Sequence, residues 1–130
     1  GGLGTALMVF LNGTLKSGIE TVLDLVDFDE HLKDVDIVVT GEGATDWQSV
    51  FGKVMQGVGV HCKKHHIPAV AIVGSMGSGA EDIFDYGIES IITTVNNIMP
   101  LSDALNHAEE LYLGAARRMF RLLKAGMQMR

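Results

Sequence analysis

Two carboxylates, an amide and a lysine stand close together in Gly41-Glu42-Gly43-Ala44-Thr45-Asp46-Trp47-Gln48-Ser49-Val50-Phe51-Gly52-Lys53. Phosphoryl transfer uses such parts. Carboxylates hold Mg²⁺, a cation meets the moving phosphoryl group, and an acid group accepts the proton of the attacking hydroxyl. Without a metal or a proton-accepting role, two carboxylates would repel a phosphate. Glu42 and Asp46 therefore favour a metal-bridged or proton-accepting site over simple anion capture. The bland alternative stays open: Glu42 and Asp46 as solvated turn acids and Lys53 as a surface lysine. The string is not a P-loop, since Gly52-Lys53 is not preceded by a Gly and four residues.

A second candidate is the glycine-rich stretch Gly74-Ser75-Met76-Gly77-Ser78-Gly79. Gly74, Ser75 and Gly77 are its phosphate-loop candidates, because glycines let a phosphate approach the backbone. A plain strand-to-helix turn fits the same residues. Other groups offer less. His65 and His66 are adjacent and diverge on a helix, so with His61 they read as a solvated cationic turn. Cys62 shares a face with Val54 and Val58 and reads as a core thiol. Trp47 reads as packing at the loop rim, and Arg117, Arg118, Arg121 and Lys124 as the solvated face of a helix. No serine–histidine–acid or Cys/His constellation stands out.

Helices and strands must position these loops. Residues 3–11 suit a helix stopped at Asn12-Gly13. Ile19, Val22, Leu23 and Val26 recur at the spacing of one helix face, and Phe28 and Leu32 add an apolar turn. Asp36-Ile-Val-Val-Thr40 reads as a strand covered on both faces, broken by Gly41-Glu-Gly43 and followed by a polar loop to about Phe51. A helix is expected from Gly52 to the cationic turn before Pro68, which blocks its continuation. Residues 69–73 form a second buried-type strand, 81–86 a short helix closed by Gly87, and 89–95 a third strand. Ser102 is a good N-cap. Leu105, Ala108, Tyr112, Ala115, Met119 and Leu122 mark a long amphipathic helix near 103–125, with a frayed tail from Gly126. This order predicts an α/β, Rossmann-like three-layer unit with parallel strands near 36–40, 69–73 and 89–95. Ligands of such sheets gather beyond the carboxyl ends of the strands, where both glycine-rich loops lie. Each loop leads into a helix start, which attracts phosphate.

The 130 residues suit one unit, 1–130. Hydrophobic residues at 47% against charged residues at 20% describe a globular chain. The longest apolar run, Ala6–Leu11, is far short of a membrane span. A net charge of -6 argues against nucleic acid as a partner. The single cysteine, Cys62, excludes an internal disulfide framework and is compatible with the cytoplasm.

The string Gly41-Glu42-Gly43-x-x-Asp46-x-Gln48-Ser49-x-x-Gly52-Lys53 resembles the signature of the bacterial glycerate kinases of the two-domain type. Leu15-Lys16-Ser17-Gly18-Ile19-Glu20, Asp36–Gly43 and Ile67–Ser75 stand in that family's order. Gly1-Gly2-Leu3-Gly4 looks like the end of its glycine- and alanine-rich motif. There are departures: Ala44 stands where the family usually has Arg, Ser49 where it has Thr, and Met55 where it has Pro.

The resemblance implies transfer of the ATP γ-phosphoryl group to a hydroxyl of D-glycerate with Mg²⁺. It implies Asp46 and Lys53 as catalytic residues. Glu42, Gln48, Ser49, Gly41, Gly43 and Gly52 would bind substrate, and Glu42 with Asp46 would hold the metal. It also implies that the chain is roughly the last third of a longer kinase. The missing N-terminal part, or self-association, would then cover its apolar faces, and the isolated piece would be inactive. The rival expectation is a non-catalytic α/β module that binds a nucleotide or organic acid. A receiver-type domain also suits the length, but the first strand ends at Thr40 without a phospho-accepting Asp.

Overall fold

The computed structural model describes residues 17–43 and 52–130. In chain order the elements are α1 (Gly18–Leu25), α2 (Phe28–His31), a 3-10 turn (Leu32–Asp34), β1 (Val38–Glu42), α3 (Gly52–Lys64), β2 (Ala69–Val73), a 3-10 helix (Ala80–Tyr86), β3 (Ile88–Thr93), α4 (Leu101–Asn106) and α5 (Ala108–Met127). The expected helix over 3–11 and its Asn12-Gly13 stop lie outside the described residues.

The five residues of β2 are apolar without interruption, and all are buried. Successive side chains of a strand point to opposite faces. Ala69, Ala71 and Val73 accordingly join one core cluster with Leu23, Met55, Val58, Cys62 and Ile83. Val70 and Ile72 join another with Ala115 and Met119 of α5. The sheet thus lies between α1 and α3 on one side and α5 on the other, which is the expected three-layer α/β unit. Its strands are parallel, in the order β1-β2-β3.

The first strand sits further along the chain than its residue types suggest. Val38 N–H donates to Pro68 O at 2.9 Å, and pairing runs from Val38↔Ala69 to Glu42↔Val73. Gly41 and Glu42 are therefore the end of β1 and not the start of a loop. The length of β1 follows from its partner β2, which supplies ladder groups as far as Val73.

Other differences also come from packing. On α3 the buried face is Met55, Val58 and Cys62, while Val54 is 39% exposed. Steps of three and four residues stay over one line of the helix, whereas repeated steps of four drift away from it. The long C-terminal helix expected near 103–125 is α5, Ala108–Met127, and the residues just before it form the separate short helix α4, with the break at His107. α4 starts after Pro100, so Ser102 lies inside it and caps nothing. On α5 the buried stripe is Leu111, Ala115 and Met119. Leu105, Tyr112 and Leu122 face outward. The narrow sheet covers only one line of the helix. The expected frayed tail is helical as far as Met127.

α1 is held at its start by Ser17, whose Oγ accepts the Glu20 N–H at 3.3 Å. This satisfies one of the free amides of a helix start. No described helix is long and apolar enough to cross a membrane.

Candidate functional site

The two glycine-rich segments meet at the carboxyl edge of the sheet. Glu42 ends β1 opposite Val73, the last residue of β2. Gly74 N–H donates to Glu42 O at 3.1 Å. A Cβ on Gly74 would overlap the carbonyl oxygen of Gly43, and one on Gly41 would stand 2.9 Å from the carbonyl oxygen of Ile72. Only a residue without a side chain lets the backbones approach this closely.

The third strand closes the same edge. Thr94 N–H donates to Val73 O at 2.8 Å, and Thr94 Oγ1 donates to Gly74 O at 3.4 Å. Arg118, from α5, donates from Nη2 to Thr93 O at 2.9 Å. Sequence reasoning placed Arg118 only on a solvated helix face. It is exposed, yet it brings a cation to the edge where the strands end. Its position depends on how α5 crosses the sheet, which no local pattern reports.

Glu42 has the least ordinary environment on this edge. Both carboxyl oxygens are buried, and neither has a hydrogen-bond partner among the described residues. Burial pushes the carboxyl pKa up to about 7. The Met55 amide, in the first turn of α3, favours the anion without completing a hydrogen bond, and burial outweighs it. A buried carboxyl without donors is costly to ionise unless a cation or proton meets it. Lys53 lies in the same first turn and is exposed.

Of the residues expected in the site, the structure brings Gly41, Glu42, Gly43 and Gly74 together. Ser75 and Gly77 follow in an exposed loop, whose Gly77 carbonyl accepts the Ala80 N–H at 3.3 Å. Gly52 opens α3. Asp46, Gln48, Ser49 and Trp47 lie outside the described residues. Among the described residues no group of three or more His, Cys, Asp or Glu side chains could hold a metal ion. A separate hollow, lined by Asn106, His107, Glu109, Glu110, Leu113 and Arg117, lies along α4 and α5 and shares no residue with this edge.

On the far half of α3, Cys62 is fully buried, and burial pushes its thiol up to about 11, in keeping with an inert core thiol. His61 differs from expectation. It is not solvated but lies between Asp29 and Glu20, with its side chain 15% exposed. These partners are 32 and 41 residues away in the chain, so sequence spacing carried no signal for them.

Comparison with known proteins agrees with this architecture. Residues 1–124 match the profile of the glycerate kinase family. The chain is 42% identical to the glycerate kinase of Halalkalibacterium halodurans over 92% of its length, which is 31% of that protein. It is 38% identical to the glycerate 2-kinase of Escherichia coli over 98% of its length, which is 34% of that protein. It superposes with a TM-score of 0.74 on the crystal structure of a protein described as a glycerate kinase 2 from Salmonella typhimurium LT2. That match has 36% identity and covers 99% of this chain and 33% of the other. The chain therefore spans about a third of the length of these relatives.

Proposed function

The chain belongs to the glycerate kinase family, and we propose that it is the C-terminal part of a longer kinase that moves the ATP γ-phosphoryl group to a hydroxyl of D-glycerate. The observation that supports this reading best is Glu42. Its two buried carboxyl oxygens have no donor among the described residues, at the edge where the glycine-rich ends of β1 and β2 touch.

That environment fits a divalent cation. Mg²⁺ takes oxygen ligands and is usually bound through one or two carboxylates plus substrate phosphates. Glu42, with Asp46 as the second carboxylate, would hold it. When bound, the ion neutralises charge on the phosphate oxygens. Without it, a proton on Glu42 serves the same electrostatic need, in line with a pKa near neutrality.

The remaining roles belong to the chain itself. Asp46 accepts the proton of the glycerate hydroxyl, or shares the metal, as the new oxygen–phosphorus bond forms and the bond to the ADP oxygen breaks. Lys53, exposed in the first turn of α3, meets the phosphoryl oxygens or the glycerate carboxylate. Gln48 and Ser49 orient the substrate. Gly41, Gly43, Gly52 and Gly74 keep the edge open to backbone approach, with Ser75 and Gly77 beside the phosphates.

The test is a coupled assay of the whole protein with D-glycerate, ATP and Mg²⁺. ADP release that requires all three supports the reading. Binding of nucleotide or glycerate without turnover would leave a non-catalytic binding module in its place.

A further inference from the structure

We infer that His61 is a positioning residue which, as an imidazolium, straps α3 to α1 and α2, and that the strap opens when the ring loses its proton. His61 Nδ1 lies 2.6 Å from Asp29 Oδ1 of α2, and Nε2 lies 2.9 Å from Glu20 Oε2 of α1. A neutral imidazole has a single N–H. In that form one of the two contacts would set a ring lone pair against a carboxylate oxygen. Both contacts are hydrogen bonds only when both nitrogens carry protons. Phe28 fixes the ring edge-on, with ring centroids 6.2 Å apart and planes at 77°.

The surroundings support the charged ring. From α1 it faces Glu20 and, across a small hollow, Asp24; from the α1–α2 connection Asp27; and from α2 Asp29 and Glu30. Glu30 is paired with Lys33 at 2.8 Å. From the turn that follows α3, His65 Nε2 stands 3.5 Å from Asp29, and on α3 itself Cys62 is a neutral thiol. Burial works against charge on His61, but the hydrogen bonds and charges of Asp29 and Glu20 outweigh it, and its pKa is raised. The His61 hydrogen bond holds Asp29 below its ordinary range, against a smaller effect of burial.

The signs define a window. Stabilisation from a raised histidine is complete below its unfolded value of about 6.5 and is lost as pH rises through the folded value. Stabilisation from a lowered aspartate is present above its unfolded value of about 3.8 and is lost as pH falls through the folded one. The strap is intact between the two folded values. Its place on α3 matters because the first turn of that helix carries Lys53 and turns the Met55 amide toward Glu42. The effect on turnover rests on the function proposed above; the strap itself does not.

The test is a titration of the whole protein labelled with ¹⁵N in its histidine rings, with His61 assigned by its loss in His61→Gln. Both ring nitrogens of His61 should be protonated at pH 6, with a midpoint above the ordinary histidine value. Glu20→Gln and Asp29→Asn should each lower that midpoint. A neutral ring at pH 6, or a midpoint unmoved by both variants, overturns the inference. Amide exchange in α1, corrected for its intrinsic pH dependence, should quicken by about tenfold as pH rises through the midpoint. In His61→Lys, whose charge persists to high pH, it should stay flat. Equal pH dependence in the two proteins overturns the inference as well. If His61→Lys does not fold, the ring titration of the native protein decides alone. If the protein proves not to phosphorylate glycerate, the ring titration and exchange still test the strap, whereas an alkaline limb in kcat/KM that disappears in His61→Lys would join it to catalysis.

Discussion

The amide of Gly74 donates to the backbone carbonyl of Glu42 at 3.1 Å, and no side chain could be added to Gly74 without striking Gly43. The ends of β1 and β2 are thereby locked together. The Glu42 carboxyl is held at the carboxyl edge of the sheet, where ligands of parallel sheets bind.

Gly74→Ala should disturb this lock. The added methyl meets backbone, which cannot turn aside, so one strand end must move. Stability should fall by about 1–3 kcal/mol, and turnover of the whole protein should drop more than its thermal stability alone explains. Gly126→Ala is the control, since nothing lies within 4 Å of its added Cβ. It should raise stability by up to about 1 kcal/mol, as alanine does in an exposed helix. Thermal unfolding of the two variants checks both statements, and a fully active Gly74→Ala would contradict the lock.

Glu42→Gln separates the metal role from the cost of burying a carboxyl. The folded pKa of about 7 lies above the ordinary 4.5, so the unfolded chain loses this proton first. In metal-free buffer this group makes stability fall as pH rises from about 4.5 to about 7, with no further change above. Glutamine cannot ionise, so the variant should lose that slope and be the more stable protein at pH 8. Its turnover should nevertheless fall by about 10²-fold or more. Urea titrations at pH 5 and pH 8 measure the first effect and the coupled assay the second. A steeper pH dependence in the variant would refute the burial account.

Lys53→Met keeps length and removes charge at an exposed position of α3. Stability should change little, because an exposed lysine contributes little to packing. If Lys53 meets the transferring phosphoryl group, kcat should fall more than KM changes. A rise confined to the KM for glycerate would identify it as a carboxylate clamp.

Asp46→Asn should lower kcat by about 10²-fold or more if Asp46 takes the hydroxyl proton or shares the metal. Folding should be almost unchanged. A variant that keeps more than half its activity removes Asp46 from the site.

The 130-residue chain by itself should associate and show no turnover. Ile98, Leu101, Phe120 and Met127 are exposed, the last at 87%, and large exposed apolar side chains favour association. Sedimentation at rising concentration should show growing assemblies, and a persistent monomer would refute the statement.

Much of this architecture is legible in residue order. Five uninterrupted apolar residues at 69–73 require cover on both faces, and only a central strand between helices provides it. Pro68 marks an element end because proline cannot continue a helix. Gly87 marks another because glycine tolerates the left-handed conformation, which it adopts at the end of its 3-10 helix. The chemistry-bearing string Gly41–Lys53 is recognisable from residue types and spacing, since those depend on the reaction and not on distant neighbours.

What the tertiary structure alone decided are the meetings between distant residues. The two glycine-rich segments read as separate loops, and only the β1–β2 register brings Gly43 against Gly74. Glu42 belongs to β1 because β2 extends the ladder to it, and its burial follows from that pairing and from the packing of α3. His61 reads as one of several solvated histidines, yet the fold brings Glu20 and Asp29 to its two nitrogens. Local sequence specifies backbone preference and which face of an element is apolar. Which charge faces which is set when the elements pack, and by then the partners lie tens of residues apart.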